Sequence, residues 1–254
     1  MIDTHCHIFL DQFDEDRDEV LKRAEDIGIT DICMPAINLD SLEKMRTLDH
    51  KTIQLHNMAG IHPSEIESSL PNDLEKKLLE LCGQEDIIAV GETGLDYYWS
   101  TDFVDTQKES LRIHCRVAKA TGKPVVLHNR ESTNDVLNII EQEQDGSLTG
   151  IWHCFTGTAE EGKRAIGTGL KLGIGGVTTF KNAGIDRHVA KLPLSEMMLE
   201  TDAPYLAPTP KRGKRNEPAF TKFTAQKLAQ LFEITLEETD RITTQNAREL
   251  FKLA

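Results

Sequence analysis

Ile87-Ile88-Ala89-Val90-Gly91-Glu92 is the stretch that decides the fold. An apolar run of strand type ends on an acid set between glycines, and the same design recurs along the chain. Ile2–His7, Asp31–Ala36, Gln54–Ile61, Pro124–His128, Gly150–His153, Lys171–Gly175 and Met197–Asp202 are the other β-like runs. Amphipathic segments lie between and after them. Asp16–Ile27 puts Val20, Leu21, Ala24 and Ile27 on one face and then meets Gly28, the pattern of a helix and its stop. Asp73–Cys82, Thr106–Ala120, Asn134–Glu143, Ala159–Thr168, Lys222–Phe232 and Leu236–Lys252 are the further helix candidates, the last opening with Thr235 and Glu238 at capping-box spacing. Strands alternating with helices imply parallel βαβ units. Eight strand candidates in 254 residues predict one closed (β/α)8 TIM barrel spanning 1–254, with an open doubly wound sheet as the rival.

A barrel carries its chemistry at the C-terminal ends of its strands. His5, His7, Glu92, His128, His153 and Asp202 each close a predicted strand, and His62 follows the end of another. In His5-Cys6-His7 the period of two turns both imidazoles to one side, which suits two ligands on one ion, and turns Cys6 to the other. Asp3 shares the imidazole face and is placed to orient a histidine. Glu92 carries two oxygens and is able to bridge two cations, with Asp96 as the nearby competitor. Cys154, next to His153, is expected to point away from the site. Asp202 is suited to bind metal and to accept a proton, and Glu200 lies deeper on the same strand face. Isolated, each of these residues reads equally as a structural histidine or a loop carboxylate. Together, four histidines and two carboxylates exceed the needs of one tetrahedral ion and leave room for two divalent ions sharing Glu92. The mixed nitrogen and oxygen set suits Zn, Mn, Ni, Fe or Co, with Mg also among the candidates.

The bulk composition narrows the rest. A net charge of −13 argues against holding nucleic acid by overall charge, although bound cations supply local positive charge even in an acidic protein. No basic region followed by an apolar run opens the chain, and no stretch is apolar enough for a membrane span. Five scattered cysteines without a Cys-x-x-Cys pattern read as reduced thiols of a cytoplasmic protein. Nothing in the sequence points to a membrane or to an obligate protein partner.

Asp3-Thr4-His5-Cys6-His7, Gly60-Ile61-His62-Pro63, Gly91-Glu92-Thr93-Gly94-Leu95-Asp96-Tyr97, His128-Asn129-Arg130, His153-Cys154-Phe155-Thr156-Gly157, Glu200-Thr201-Asp202-Ala203-Pro204 and Arg212-Gly213-Lys214-Arg215-Asn216-Glu217-Pro218 follow one another in an order that resembles the TatD family of metal-dependent deoxyribonucleases. The resemblance implies an amidohydrolase-type TIM barrel that cleaves phosphodiester bonds in DNA with a metal-activated water. It implies one ion on His5, His7, Glu92 and Asp202, and a second on Glu92, His128 and His153, with Glu92 and Asp202 catalytic. His62 and Arg130 are then candidates for the phosphoryl oxygens, and Arg212 and Arg215 for flanking phosphates of the substrate. Tyr97, Tyr98 and Trp99 are candidates for stacking on bases. Some relatives of the family are assigned to D-aminoacyl-tRNA hydrolysis, so RNA or a tRNA ester stays open as substrate. A small-molecule amidohydrolase and a barrel that binds without catalysis are the further alternatives.

Overall fold

Eight strands form a single sheet in chain order, and every neighbouring pair is parallel. They are β1 (Ile2–Asp3), β2 (Asp31–Met34), β3 (Gln54–Ala59), β4 (Ile87–Asp96), β5 (Val125–Arg130), β6 (Gly150–Trp152), β7 (Leu170–Ile174) and β8 (Met197–Leu199). The computed structural model describes residues 1–99 and 101–253. The sheet closes on itself between β8 and β1. Thr4 N–H donates to Leu199 O (3.0 Å), Asp202 N–H to His5 O (2.8 Å) and His7 N–H to Ala203 O (2.8 Å), with a parallel bridge between Cys6 and Ala203. The expected (β/α)8 barrel is therefore the fold, and the open sheet is excluded.

The helices follow the strands: α1 (Arg17–Asp26), α2 (Ser41–Met45), α3 (Leu74–Cys82), α4 (Val104–Thr121), α5 (Thr133–Glu143), α6 (Ala159–Gly167), α7 (Ile185–Val189), α8 (Thr221–Phe232) and α9 (Leu236–Phe251). The two five-residue helices, α2 and α7, were not expected, because so short a run shows no periodicity. The capping box expected at Thr235 forms only by half: the Thr235 hydroxyl accepts from Glu238 N–H, while the Glu238 carboxylate is taken by Arg241. A complete box starts α6, where Thr158 and Glu161 cap each other.

The core has two parts. Outward-facing strand residues such as Ile32, Val90, Leu127 and Leu172 pack beneath the helix ring with Val20, Leu78, Leu111 and Leu137. Inside the barrel, Ile2, Cys33, Met58, Ala89, Val126, Ile151 and Met198 come from seven of the strands and form one layer. Ala247 and Phe251 of α9 pack on that layer, so the final helix closes the barrel at the end opposite the site. Asn246 fixes α9 there, its Nδ2 donating to Leu194 O (3.0 Å) and Met197 O (2.7 Å). Among the described residues no helix is long and apolar enough to cross a membrane.

Candidate metal centre

β4 does not stop at Glu92 as the sequence suggested; it runs on to Asp96. Its register against β5 breaks between Val90 and Thr93, so Gly91 and Glu92 leave the ladder before pairing resumes with Thr93 opposite Leu127. Such a break re-aims a side chain, and here the side chain is Glu92. The resumed pairing brings the strands close: a Cβ at Gly94, whose φ is +140°, would collide with the His128 carbonyl. Glycine is required at that point to let β5 deliver His128 alongside Glu92.

Glu92 is 2% exposed, and its two oxygens face different partners. Oε2 lies 3.1 Å from His5 Nε2 and 3.7 Å from His7 Nε2. Oε1 lies 3.1 Å from His128 Nδ1, 3.6 Å from His62 Nε2 and 3.9 Å from His153 Nε2. Asp202 Oδ1 completes the first side, 3.6 Å from His7 Nε2 and 3.8 Å from both His5 Nε2 and His153 Nε2. The longer of these separations exceed hydrogen-bond reach. They lie a few tenths of an ångström beyond the roughly 3.0–3.4 Å between two atoms bound about 2.1 Å from one ion. A buried carboxylate also needs a cation, yet the ion-pair partners of Glu92 among the described residues are all imidazoles. The donor set fits divalent metal.

Burial would raise the Glu92 pKa, but His5, His62 and His128 around it hold it well below the usual range. Burial lowers His5 strongly, with His153 adding to the effect, and lowers His7 to about 4 and His62 to about 3, the charge of Glu92 opposing all three. These rings are neutral near pH 7 and offer lone pairs, as metal ligands must. His153 is the opposite case: burial alone would lower it, but the charge of Glu200, a hydrogen bond to it, and Asp202 and Glu92 raise it to about 10. Burial raises Asp202 to about 7 against the pull of His153.

Two further carboxylates orient the rings. Asp96 Oδ2 sits 3.0 Å from His128 Nε2, leaving Nδ1 for the centre. Glu200 Oε1 sits 3.0 Å from His153 Nδ1, leaving Nε2. A carboxylate behind a ligating imidazole fixes its tautomer and raises its basicity. Gly173 on β7 makes room for this, because a Cβ there would collide with Glu200 Oε2. Asp3, which was expected to orient a histidine ring, does not. Its carboxylate accepts from Thr201 Oγ1 (2.6 Å) and Thr201 N–H (2.9 Å) and ties β1 to the segment after β8. The parity argument placed it on the imidazole face, but its oxygens are consumed before they reach a ring.

The cavity over these groups has a volume of about 730 Å³ and is lined by His7, His62, Glu92, His128, His153 and Asp202 among others. His62, expected as a substrate contact, enters the ligand cluster itself, its donor atom grouped with those of Glu92 and His128. Several contacts hold it there: its Nδ1 accepts from Ser64 N–H (3.1 Å) and meets Ser64 Oγ (2.7 Å), its own N–H donates to Ile37 O (2.8 Å), and the amide of the preceding Ile61 donates to Nε2 of His114 (3.1 Å). His114 is fully buried on α4 and was missed in the sequence, where nothing distinguishes it from any core residue of a helix. Cys6 is buried in the outer core, as parity required. Cys154 contradicts parity: β6 ends at Trp152, Cys154 turns into the left-handed region (φ +48°), and it lines the cavity with its donor atom near those of His153 and Glu200.

Arg130 lines the cavity, its guanidinium carbon 3.6 Å above the ring of Tyr98. The basic loop behaves differently. Arg215 pairs with Asp16 (2.6 Å), donates to Gln12 O and lies over Phe13, so it fastens the loop to the segment before α1. Arg212 stacks on Phe180 (3.7 Å) beside a separate depression of about 440 Å³ formed with Lys181, Asn182 and Thr209. Neither arginine lines the metal cavity. Tyr97 is likewise engaged elsewhere, its hydroxyl donating to Asp135 (2.7 Å).

Residues 2–252 match the family model of TatD related DNases. The metal-dependent hydrolase YabD of Bacillus subtilis, itself uncharacterized, is 37% identical over all of this chain and 99% of its own length. A protein of Shigella flexneri named as the 3'-5' ssDNA/RNA exonuclease TatD is 29% identical over the full length of both chains. The crystal structure of YJJV, a TatD homolog from Escherichia coli, superposes with a TM-score of 0.90 at 27% identity, covering 100% of this chain and 98% of that one. The family match along nearly the whole chain and the shared barrel agree with the buried cluster of ligands at the strand ends: this protein belongs to the TatD family of metal-dependent hydrolases and is an enzyme.

Proposed function

We propose that this enzyme hydrolyses phosphodiester bonds of nucleic acid, DNA in the first place, at a centre for two divalent ions bridged by Glu92. The observation that carries the reading is the division of the Glu92 carboxylate, one oxygen toward His5 and His7 and the other toward His62, His128 and His153. Asp202 would complete the ligands of the first ion and His128 and His153 those of the second. His62 stands close enough to the second group to join it. Zn, Mn, Ni, Fe and Co fit this nitrogen-rich set better than Mg.

Such ions, when bound, bring the pKa of a coordinated water toward neutrality and neutralise charge on a phosphoryl group. The chain's own groups do the rest. Asp202, at the edge of the first group of ligands, is a carboxylate suited to accept the proton of the attacking water. Arg130, exposed and without an ion-pair partner among the described residues, is positioned to hold a phosphoryl oxygen. Asp96 and Glu200 keep His128 and His153 in register. Five unpaired cysteines and an acidic surface support a cytoplasmic setting.

The test is hydrolysis of labelled single- and double-stranded DNA by enzyme stripped of metal and resupplied with each divalent ion, beside a D-aminoacyl-tRNA and a simple aryl ester. Ion-dependent release of nucleotides that is lost in Asp202→Asn supports the proposal. Ester cleavage with intact DNA overturns it.

A further inference from the structure

Three of the large hydrophobic side chains left exposed among the described residues, Trp99, Tyr205 and Leu206, line the same cavity as the metal cluster. Trp99 is the most exposed of them at 71%. Its main chain is anchored. One oxygen of Asp96 accepts from the amides of Tyr98 (3.0 Å) and Trp99 (3.2 Å), while the other holds the His128 ring (3.0 Å). A single carboxylate thus ties the aromatic pair to a ring of the metal cluster. Tyr98 and Trp99 meet edge to face, 5.0 Å apart at 84°. Arg130 lies over Tyr98 at 3.6 Å and reaches Trp99 at 5.4 Å, the closer contact being with Tyr98. Tyr98 is therefore engaged in holding the guanidinium, and Trp99 is left with ring surface facing solvent at the edge of the cavity.

We propose that Trp99 is the stacking platform for a nucleobase next to the scissile phosphate, with Arg130, held on Tyr98, gripping the phosphate between them. This rests on the nuclease reading above and specifies its substrate. An exposed indole beside a cation held over an aromatic ring is the chemistry that recognises a base and its phosphate together. The face of a base is free only where it is not stacked within a duplex. The platform therefore selects single-stranded nucleic acid or an unpaired end, and selects no sequence, because every base has a π-face.

Steady-state cleavage by the metal-loaded enzyme tests this with three substrates: a single-stranded oligonucleotide, the same strand carrying one abasic nucleotide beside the cleaved bond, and a strand abasic throughout, which offers no π-face. Trp99→Ala is expected to raise KM for the intact strand about ten-fold with kcat little changed. Trp99→Phe should recover most of that loss. On the abasic strand wild type should already show the higher KM, and Trp99→Ala should add nothing, since the two changes remove one contact. The fully abasic strand should not distinguish the variants.

Fluorescence gives an independent reading. Trp152, the other tryptophan, is 1% exposed against Phe155, so quenching of accessible emission by a bound strand reports Trp99. In the Asp202→Asn background, which blocks turnover, the intact strand should quench and the strand abasic at that position should not. An unchanged KM in Trp99→Ala, or equal loss on intact and abasic strands, overturns the platform while leaving the nuclease standing. A wild-type enzyme that cleaves no oligonucleotide under any ion overturns the nuclease reading and the platform with it.

Discussion

Replacing His114 by glutamine should remove a defined part of the enzyme's sensitivity to acid. His114 is fully buried on α4, its Nδ1 donating to Ser110 O (2.7 Å) and its Nε2 accepting from Ile61 N–H (3.1 Å). A second proton on the ring would put an N–H against the Ile61 N–H. Burial accordingly lowers the pKa to about 4 from an ordinary 6.5, against the opposing bond to Ser110. Above pH 6.5 the ring is neutral in both folded and unfolded chains and contributes no pH dependence. Between 6.5 and 4 the unfolded chain takes up a proton that the folded chain refuses, so stability falls as the pH falls. The span of two and a half pH units is worth about 3 kcal/mol at 1.36 kcal/mol each. Glutamine keeps an acceptor for Ile61 and does not titrate. Urea unfolding of both proteins at pH 7.5, 6.5, 5.5 and 4.5 measures the difference, and the buried histidines of the metal cluster, common to both, cancel. His114→Gln should be the less stable protein at pH 7.5, and the gap should close by about 2–3 kcal/mol by pH 4.5. A gap that stays constant across the series would show that His114 takes up its proton in the folded state and refute the argument.

Three other outcomes follow from the same structure. Glu92→Ala should leave a folded protein that binds far less than the roughly two ions per chain expected at saturation for a bridged pair, read by metal analysis after gel filtration. Gly173→Ala should force Glu200 off His153 and weaken metal affinity about 10- to 100-fold in a chelator competition, with no effect expected if the Glu200 contact is idle. Arg215→Ala should cost at most about 1 kcal/mol of stability and leave the salt dependence of DNA binding unchanged, whereas Arg130→Ala should raise KM and flatten that dependence.

The grouping of the proposed ligands was legible in the sequence because a barrel strand is short and hydrophobic and ends on the face where the chemistry sits. His5, His7, Glu92, His128, His153 and Asp202 could each be placed by counting to the end of an apolar run. Counting places such residues near the rim, but it does not give the side-chain direction or the true strand end where the chain turns or the register breaks. Cys154 lies two residues past β6 in a left-handed turn, so alternation no longer describes it. β4 skips at Gly91 and Glu92, so its true end, Asp96, seemed to lie in a loop. The basic loop misled for a different reason. Charge along a sequence does not reveal which carboxylate is already waiting, and Asp16, almost two hundred residues earlier in the chain, takes Arg215. His114 left no trace, since its role is a hydrogen bond to a backbone amide on another element.

The orienting carboxylates decide which substitutions can separate metal binding from substrate recognition. Glu200 serves His153 and the Cys154 amide, so disturbing it through Gly173 moves the centre and leaves the aromatic pair in place. Asp96 serves His128 with one oxygen and the amides of Tyr98 and Trp99 with the other. Replacing Asp96 would loosen the His128 ring and the main chain at Tyr98 and Trp99 together, and a loss of activity there would assign nothing. Trp99 lies at the open end of the same chain of contacts, where its indole can be removed without touching a ligand. Because the carboxylate couples the two, the reverse effect is expected: a strand stacked on Trp99 biases the His128 ring toward its ligating orientation, so substrate and ion should each tighten the binding of the other by the same factor. Measuring ion affinity with and without an intact strand, and again with Trp99→Ala, would show the part carried by the indole as a fall in that factor, the part carried by the phosphoryl group remaining.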